Sequence, residues 1–229
     1  MTPWKLRHAE PHQVEDLAQA LKVSPTLARI LIHRKFDSVE TAQKFLNVGL
    51  DSLHDPFLMM DMELTVNRII QAIKQSQKIC IYGDYDVDGI VATSILIRFF
   101  QEVGVAVDSY IPHRIVEGYA INVDSMDEMK KRGVNLIITV DNGISSHAAI
   151  DRARALGIDV LVTDHHQPAN SLPKAFAIIN PHRPGDNYPF KDLSGAGVAF
   201  KLMMALRRKL SDEGLLKGAN GPNLKQYLD

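Results

Sequence analysis

Ile79-Cys80-Ile81-Tyr82-Gly83-Asp84-Tyr85-Asp86-Val87-Asp88-Gly89 is the stretch on which the fold turns. Its first four residues form a short continuous apolar run, the pattern of a strand buried on both faces of a parallel sheet. Acids follow at once. The arrangement returns twice: Leu136-Ile137-Ile138-Thr139-Val140 runs into Asp141-Asn142-Gly143, and Val160-Leu161-Val162-Thr163 runs into Asp164-His165-His166. In open α/β sheets, ligands bind outside the carboxyl ends of the strands. The pattern therefore delivers five Asp and two His to one rim of one sheet. Like charges a few ångströms apart repel unless a cation lies between them, so this rim reads as a metal-ion site.

Outward from these motifs, strand and helix patterns alternate from Lys78 onward. Strands are expected near 78–83, 106–111, 136–140, 159–163 and 175–180, and helices near 90–103, 123–132, 145–156 and 194–213. Such alternation predicts parallel βαβ units, whose right-handed crossovers bring every strand's carboxyl end to the same rim. Residues 1–75 read instead as helical: Pro11 to Leu21, a helix opened by Ser24-Pro25 and running through Ile32, Ser38 to Phe45, and Met62 to Gln75. The expected fold class is α/β, a mostly parallel sheet flanked by helices in residues 76–229, preceded by a small helical region in residues 1–75.

At 229 residues, 45% apolar and 23% charged, the composition is that of an ordinary globular protein. No stretch approaches the roughly 18 uncharged residues of a membrane span. The opening residues, Met1 to His8, lack the apolar core of a secretory signal. The single cysteine, Cys80, can form no intramolecular disulfide, which fits a reducing compartment, and cytoplasm is the expected location. A net charge of −1 gives no global basic field for a polyanion, although acidic motifs would mask positive charge elsewhere. The clusters Arg29/His33/Arg34/Lys35, Lys130/Lys131/Arg132 and Arg207/Arg208/Lys209 read first as solvated helix faces.

Alternate residues of an extended segment point the same way, so Asp84, Asp86 and Asp88 are expected to aim at one centre. The spacing also opens a calcium loop, but the glutamate such a loop needs is absent, Ile95 and Leu96 occupying that region. Asp141-Asn142-Gly143 by itself is also an ordinary strand terminator. For His165-His166, adjacency in a strand sends the two rings to opposite sides, so one ligates a metal while the other faces substrate. Several carboxylates, imidazole and no thiolate favour Mn²⁺ or Mg²⁺, and the number of acids suits two ions sharing an Asp, the arrangement that hydrolyses phosphoesters. No Walker motif is present to hold a nucleoside triphosphate.

These three motifs resemble motifs I, II and III of the DHH phosphoesterase superfamily. The wording is closest to its RecJ branch of single-strand-specific exonucleases. Supporting stretches are Leu53-His54-Asp55-Pro56-Phe57, Tyr110-Ile111-Pro112-His113-Arg114 with Glu117-Gly118-Tyr119, Asn180-Pro181-His182-Arg183, and Leu193-Ser194-Gly195-Ala196-Gly197-Val198-Ala199-Phe200. The resemblance implies that Asp86, Asp88, Asp141 and His165 ligate metal, with Asp84 and Asp164 close by and His166 facing the scissile phosphate. It places Arg114, Glu117, Tyr119 and Asn122 in a polar loop on the same rim, either touching the strand or packing the loop. Gly195 and Gly197 open a helix whose amides suit a backbone phosphate, or serve helix–sheet packing.

Members of this branch continue through a fourth acidic motif and further domains, so the chain is expected to be an N-terminal portion, with Asp229 a candidate acid of that fourth motif. The implied activity is 5′–3′ hydrolysis of single-stranded DNA to 5′ mononucleotides in repair and recombination. The implied partners are single-stranded DNA and, by resemblance, a single-strand-binding protein or a helicase, with no membrane. Two other readings stand beside it: a small-substrate relative (oligoribonuclease, cyclic-dinucleotide phosphodiesterase or pyrophosphatase), and a portion that binds without cutting.

Overall fold

The computed structural model describes residues 5, 7–113, 121–216 and 221–228. Its contacts divide the chain into two compact units, one ending at Leu53 and the other beginning at His54. Among its described residues the first holds the short α-helices α1 (Pro11–Leu21), α2 (Pro25–His33) and α3 (Val39–Leu46), followed by a 3-10 turn at Leu50–Ser52. Local chemistry sets their starts. Ser24 caps α2 by accepting from Leu27 N, and Ser38 forms a reciprocal capping box with Thr41 at α3. Val14, Leu17, Ala28, Leu31 and Ala42 make its small core.

The second unit begins with α4 (Met62–Lys74) and continues β1 (Ile79–Tyr82), α5 (Val87–Glu102), β2 (Val107–Tyr110), α6 (Val123–Lys131), β3 (Leu136–Val140), α7 (His147–Ala155), β4 (Asp159–Thr163), β5 (Ala177–Ile179) and α8 (Gly195–Asp212). The boundary expected at residue 75 is thus displaced. α4 carries buried Val66, Ile69 and Ile70 and packs on β5 and α8, so it belongs with the sheet.

All four strand pairings are parallel, in the order β2-β1-β3-β4-β5. Every residue of β1 and β3 is buried, as their unbroken apolar runs require, whereas β2 at the edge is only partly covered. Each fully buried Ile, Leu or Phe contributes about 1.5–3 kcal/mol, and Ile79, Ile81, Ile137 and Ile138 in the central strands, with Leu96, Phe99 and Phe100 of α5, supply that. Winding reverses between β1 and β3, which opens a crevice at their carboxyl ends, the place where doubly wound sheets bind ligands.

Candidate metal centre

Asp84 leaves β1 on one side of that crevice and Asp141 leaves β3 on the other. The Asp84 side chain is fully buried. Its Oδ1 accepts from Tyr85 N at 2.7 Å, and its Oδ2 has no hydrogen-bond partner. Asp86 is the N-cap of α5, accepting from Gly89 N at 2.9 Å. Asp88 lies one residue inside the helix, and its carboxylate accepts Gly195 N and Ala196 N, both at 2.7 Å. Asp84 and Asp86 therefore come together with Asp141 through a strand end and a cap, while Asp88, in the helical turn, faces Gly195, Ala196 and His165. The three do not aim at one centre by the extended alternation expected of them. The helix starts at Val87 because the Asp86 cap satisfies an opening amide. Gly89 allows the close approach: a Cβ there would stand 2.6 Å from Asp84 Cβ and 2.7 Å from its carbonyl oxygen.

Asp141 is held in the left-handed region, φ 62°, a conformation that few residues other than Gly, Asn and Asp tolerate and that clusters at functional sites. The turn around it is locked. Thr139 Oγ1 donates to Asn142 O at 2.8 Å, and Asn142 Nδ2 donates to Val140 O at 3.1 Å and to Tyr82 O at 3.4 Å. Asn142 thereby ties the end of β3 to the end of β1 across the crevice, a role that its Asn-Gly turn pairing concealed. The Asp141 carboxylate is buried and its Oδ1 has no hydrogen-bond partner. That oxygen nevertheless lies 3.1 Å from His165 Nε2, and the same nitrogen lies 3.6 Å from Asp88 Oδ2.

Asp164 is an organiser. Its Oδ2 accepts from Ile144 N at 2.9 Å, and its Oδ1 accepts from His165 N at 2.7 Å and His166 N at 3.1 Å. Oδ1 also takes the Nδ1 proton of His166 at 2.7 Å, which directs Nε2 of that ring away from the carboxylate. Asn180, fully buried, supports the turn from β5 by donating to His166 O at 2.9 Å. β4 ends at Thr163, so the histidine pair lies beyond the strand and the two rings do not diverge: their centroids are 4.5 Å apart. Donor atoms of Asp141, His165 and His166 all lie within 4.8 Å of one another, and so do those of Asp84, Asp86 and Asp141. Asp141 is common to both sets.

The electrostatics follow from this crowding. Burial, then repulsion from Asp88 and Asp86, pushes the Asp141 carboxyl up to about 8, and burial also raises Asp84. Asp164 moves the other way. Its burial opposes ionisation, but the bonds from His166 and from the Ile144 and His166 amides outweigh it, so its carboxyl is lowered. His166 rises to about 9, chiefly through its bond to Asp164. Two buried carboxylate oxygens without partners, set among mutually repelling acids beside imidazole nitrogen and no thiolate, fit divalent cations such as Mn²⁺ or Mg²⁺.

Other expected site residues fall differently. Arg114, Glu117, Tyr119 and Asp229 lie outside the described residues. Asn122 caps α6, its side chain accepting from Ser125 N at 2.8 Å. The phosphate role of the α8 amides is replaced. Gly195 and Ala196 give their N–H groups to Asp88, Gly197 N goes to Ser194 Oγ at 3.1 Å, and Val198 N goes to Ser194 O at 2.9 Å. No opening amide of that helix remains for a phosphate.

Fold and site together define an α/β domain with a carboxylate-rich cation centre at its winding reversal. Residues 78–222 match the DHH family, N-terminal domain, and the chain belongs to that family. It is 44% identical over 218 residues to the single-stranded-DNA-specific exonuclease RecJ of Bacillus subtilis (strain 168), covering 95% of this chain and 28% of that protein. To the enzyme of the same name from Escherichia coli (strain K12) it is 38% identical over 229 residues, covering 98% of this chain and 38% of that one. The crystal structure of RecJ in complex with Mn²⁺ from Thermus thermophilus superposes with a TM-score of 0.70 at 29% identity, over 90% of this chain and 28% of that chain. The chain thus spans well under half the length of these curated relatives.

Proposed function

We propose that this chain carries the catalytic domain of a metal-dependent exonuclease that degrades single-stranded DNA in the 5′–3′ direction, in repair and recombination, by hydrolysing phosphodiester bonds with two Mn²⁺ or Mg²⁺ ions. The observation that carries this is Asp141. Its buried oxygen lacks a hydrogen-bond partner and belongs to both sets of donor atoms. Asp84, Asp86 and Asp141 would hold one ion; Asp141 and His165, with Asp88 beside that imidazole, would hold the other. Bound there, the ions supply Lewis-acid polarisation of a phosphoryl oxygen and generate a nucleophile from water near neutral pH.

The remaining residues do the protein's own work. Asp164 orients His166 and favours its protonated form, so that a cationic ring faces the crevice and can stabilise phosphate charge or hand a proton to a leaving oxygen. Similarity to RecJ relatives supports single-stranded DNA as the substrate. A cytoplasmic location, and a single-strand-binding protein or a helicase as partner, belong to the same proposal. Among the described residues no helix is long and apolar enough to cross a membrane.

Incubating the chain with Mn²⁺ or Mg²⁺ and end-labelled single-stranded DNA, duplex DNA, short RNA and pyrophosphate tests the reading. Release of mononucleotides from single strands, abolished by chelator, is expected. Hydrolysis of pyrophosphate or dinucleotides with single strands untouched would assign the site to a small-substrate phosphoesterase instead.

A further inference from the structure

The opening turn of α8 faces the acids of the rim and not open solvent. Gly195 N and Ala196 N close on the two oxygens of Asp88 at 2.7 Å each, the short end of the range for amide donors to a carboxylate. Each carboxylate oxygen has two acceptor sites, so one amide apiece leaves Asp88 able to meet a cation as well. The position of Gly195 also bears on the second acid. A Cβ at this residue would lie 2.2 Å from Asp141 Oδ1 and 2.5 Å from both Cβ and Cγ of Asp141. One backbone position on a distant helix therefore touches the carboxylates that follow β1 and β3. The N-terminal end of an 18-residue helix carries partial positive charge, which favours an anion there and offsets repulsion among the crowded acids.

We propose that the first turn of α8 is a clasp that sets the positions of Asp88 and Asp141 for metal binding, with Gly195 as its positioning residue. The clasp presupposes that the rim is a metal centre. α5 and α8 pack along their length, so the bond from the start of one helix to the start of the other makes the spacing of the ligands a consequence of helix packing. The requirement for glycine at 195 is thus set by the Asp141 carboxylate and not by a left-handed backbone, since the residue is helical.

Calorimetric titration of the chain with Mn²⁺, paired with thermal unfolding in chelator, tests the clasp. Gly195→Ala puts a methyl into the Asp141 carboxylate. Ala196→Pro deletes one donor to Asp88 in a first turn, where proline is tolerated. Leu206→Ala, a fully buried position further along the same helix, is the control for mere loss of stability. Both clasp variants are expected to weaken Mn²⁺ binding by about 10–100-fold, the usual cost of losing a group that orients metal ligands. Leu206→Ala should lower the unfolding temperature yet bind Mn²⁺ as the wild type does. If Gly195→Ala does not fold, Ala196→Pro decides. Wild-type affinity in the clasp variants, or an equal loss in Leu206→Ala, would overturn the clasp while leaving the metal centre standing. A wild-type chain that binds no Mn²⁺ overturns both.

Discussion

His165 Nε2 stands 3.1 Å from Asp141 Oδ1, yet that oxygen takes part in no hydrogen bond. Metal–ligand bonds of about 2.0–2.1 Å in an octahedron put neighbouring donor atoms about 3 Å apart, so the separation is one that a shared cation would produce. A buried carboxylate and an imidazole at this distance, not bonded to each other, are arranged for a third party. Asp88 Oδ2 lies 3.6 Å from the same nitrogen.

The stability of the metal-free chain should depend on Asp141. Its carboxyl is raised to about 8 from 3.8, so between those values the folded state binds more protons than the unfolded one. Stability must then fall as pH rises across that window. In chelator, Asp141→Asn should flatten this fall and raise stability at pH 8 by on the order of a few kcal/mol. Calorimetric unfolding at several pH values checks it; parallel wild-type and variant curves would remove the buried charge from the account.

Asp164→Asn should uncouple the histidine turn. An amide in place of the carboxylate cannot accept from Ile144 N, His165 N, His166 N and His166 Nδ1 together, which costs about 1–3 kcal/mol for a buried unsatisfied group. The His166 titration should drop from about 9 toward 6.5, as read by imidazole proton shifts in metal-free protein. The raised His166 contributes stability that is full below 6.5 and lost as pH climbs through about 9, while the lowered Asp164 contributes above 3.8 and loses its share as pH falls. Activity should fall by about 10–100-fold. An unmoved His166 titration would contradict the assignment.

Lys201 on α8 offers a test away from the site. It is 2% exposed, donates to His54 O at 2.8 Å, and burial lowers its ammonium to about 8. The folded state then binds fewer protons than the unfolded one between 8 and 10.5, so stability rises with pH over that window and the cost of the buried charge is constant below it. Lys201→Met should abolish this rise and add up to about 3 kcal/mol at neutral pH, less the lost hydrogen bond. Denaturant midpoints compared at pH 7 and 10 decide; an unchanged difference between the two pH values in the variant would refute the buried ammonium.

The strands were legible where burial leaves no freedom. Ile79 to Tyr82 and Leu136 to Val140 are covered on both faces, so periodicity and environment agree. What the local pattern hid is long-range. Asp-Val-Asp-Gly reads as extended chain until the Asp86 cap draws Val87 and Asp88 into α5. Ile144 N reaches Asp164 across 20 residues, and Gly195 N reaches Asp88 across 107. A carboxylate's partners at such distances leave no trace in spacing, so Asp164 looked like part of the reacting centre and the α8 amides looked available. Adjacent histidines likewise suggested opposed rings because that inference treats them as strand residues, whereas β4 ends at Thr163, where the apolar run itself stops.

The most direct test of the account is the number of Mn²⁺ ions bound per chain, by calorimetric titration and native mass spectrometry, in the wild type and in Asp141→Ala. Two ions in the wild type, with neither retained at comparable affinity once Asp141 is removed, is the predicted result. Two ions bound by Asp141→Ala as tightly as by the wild type would contradict it.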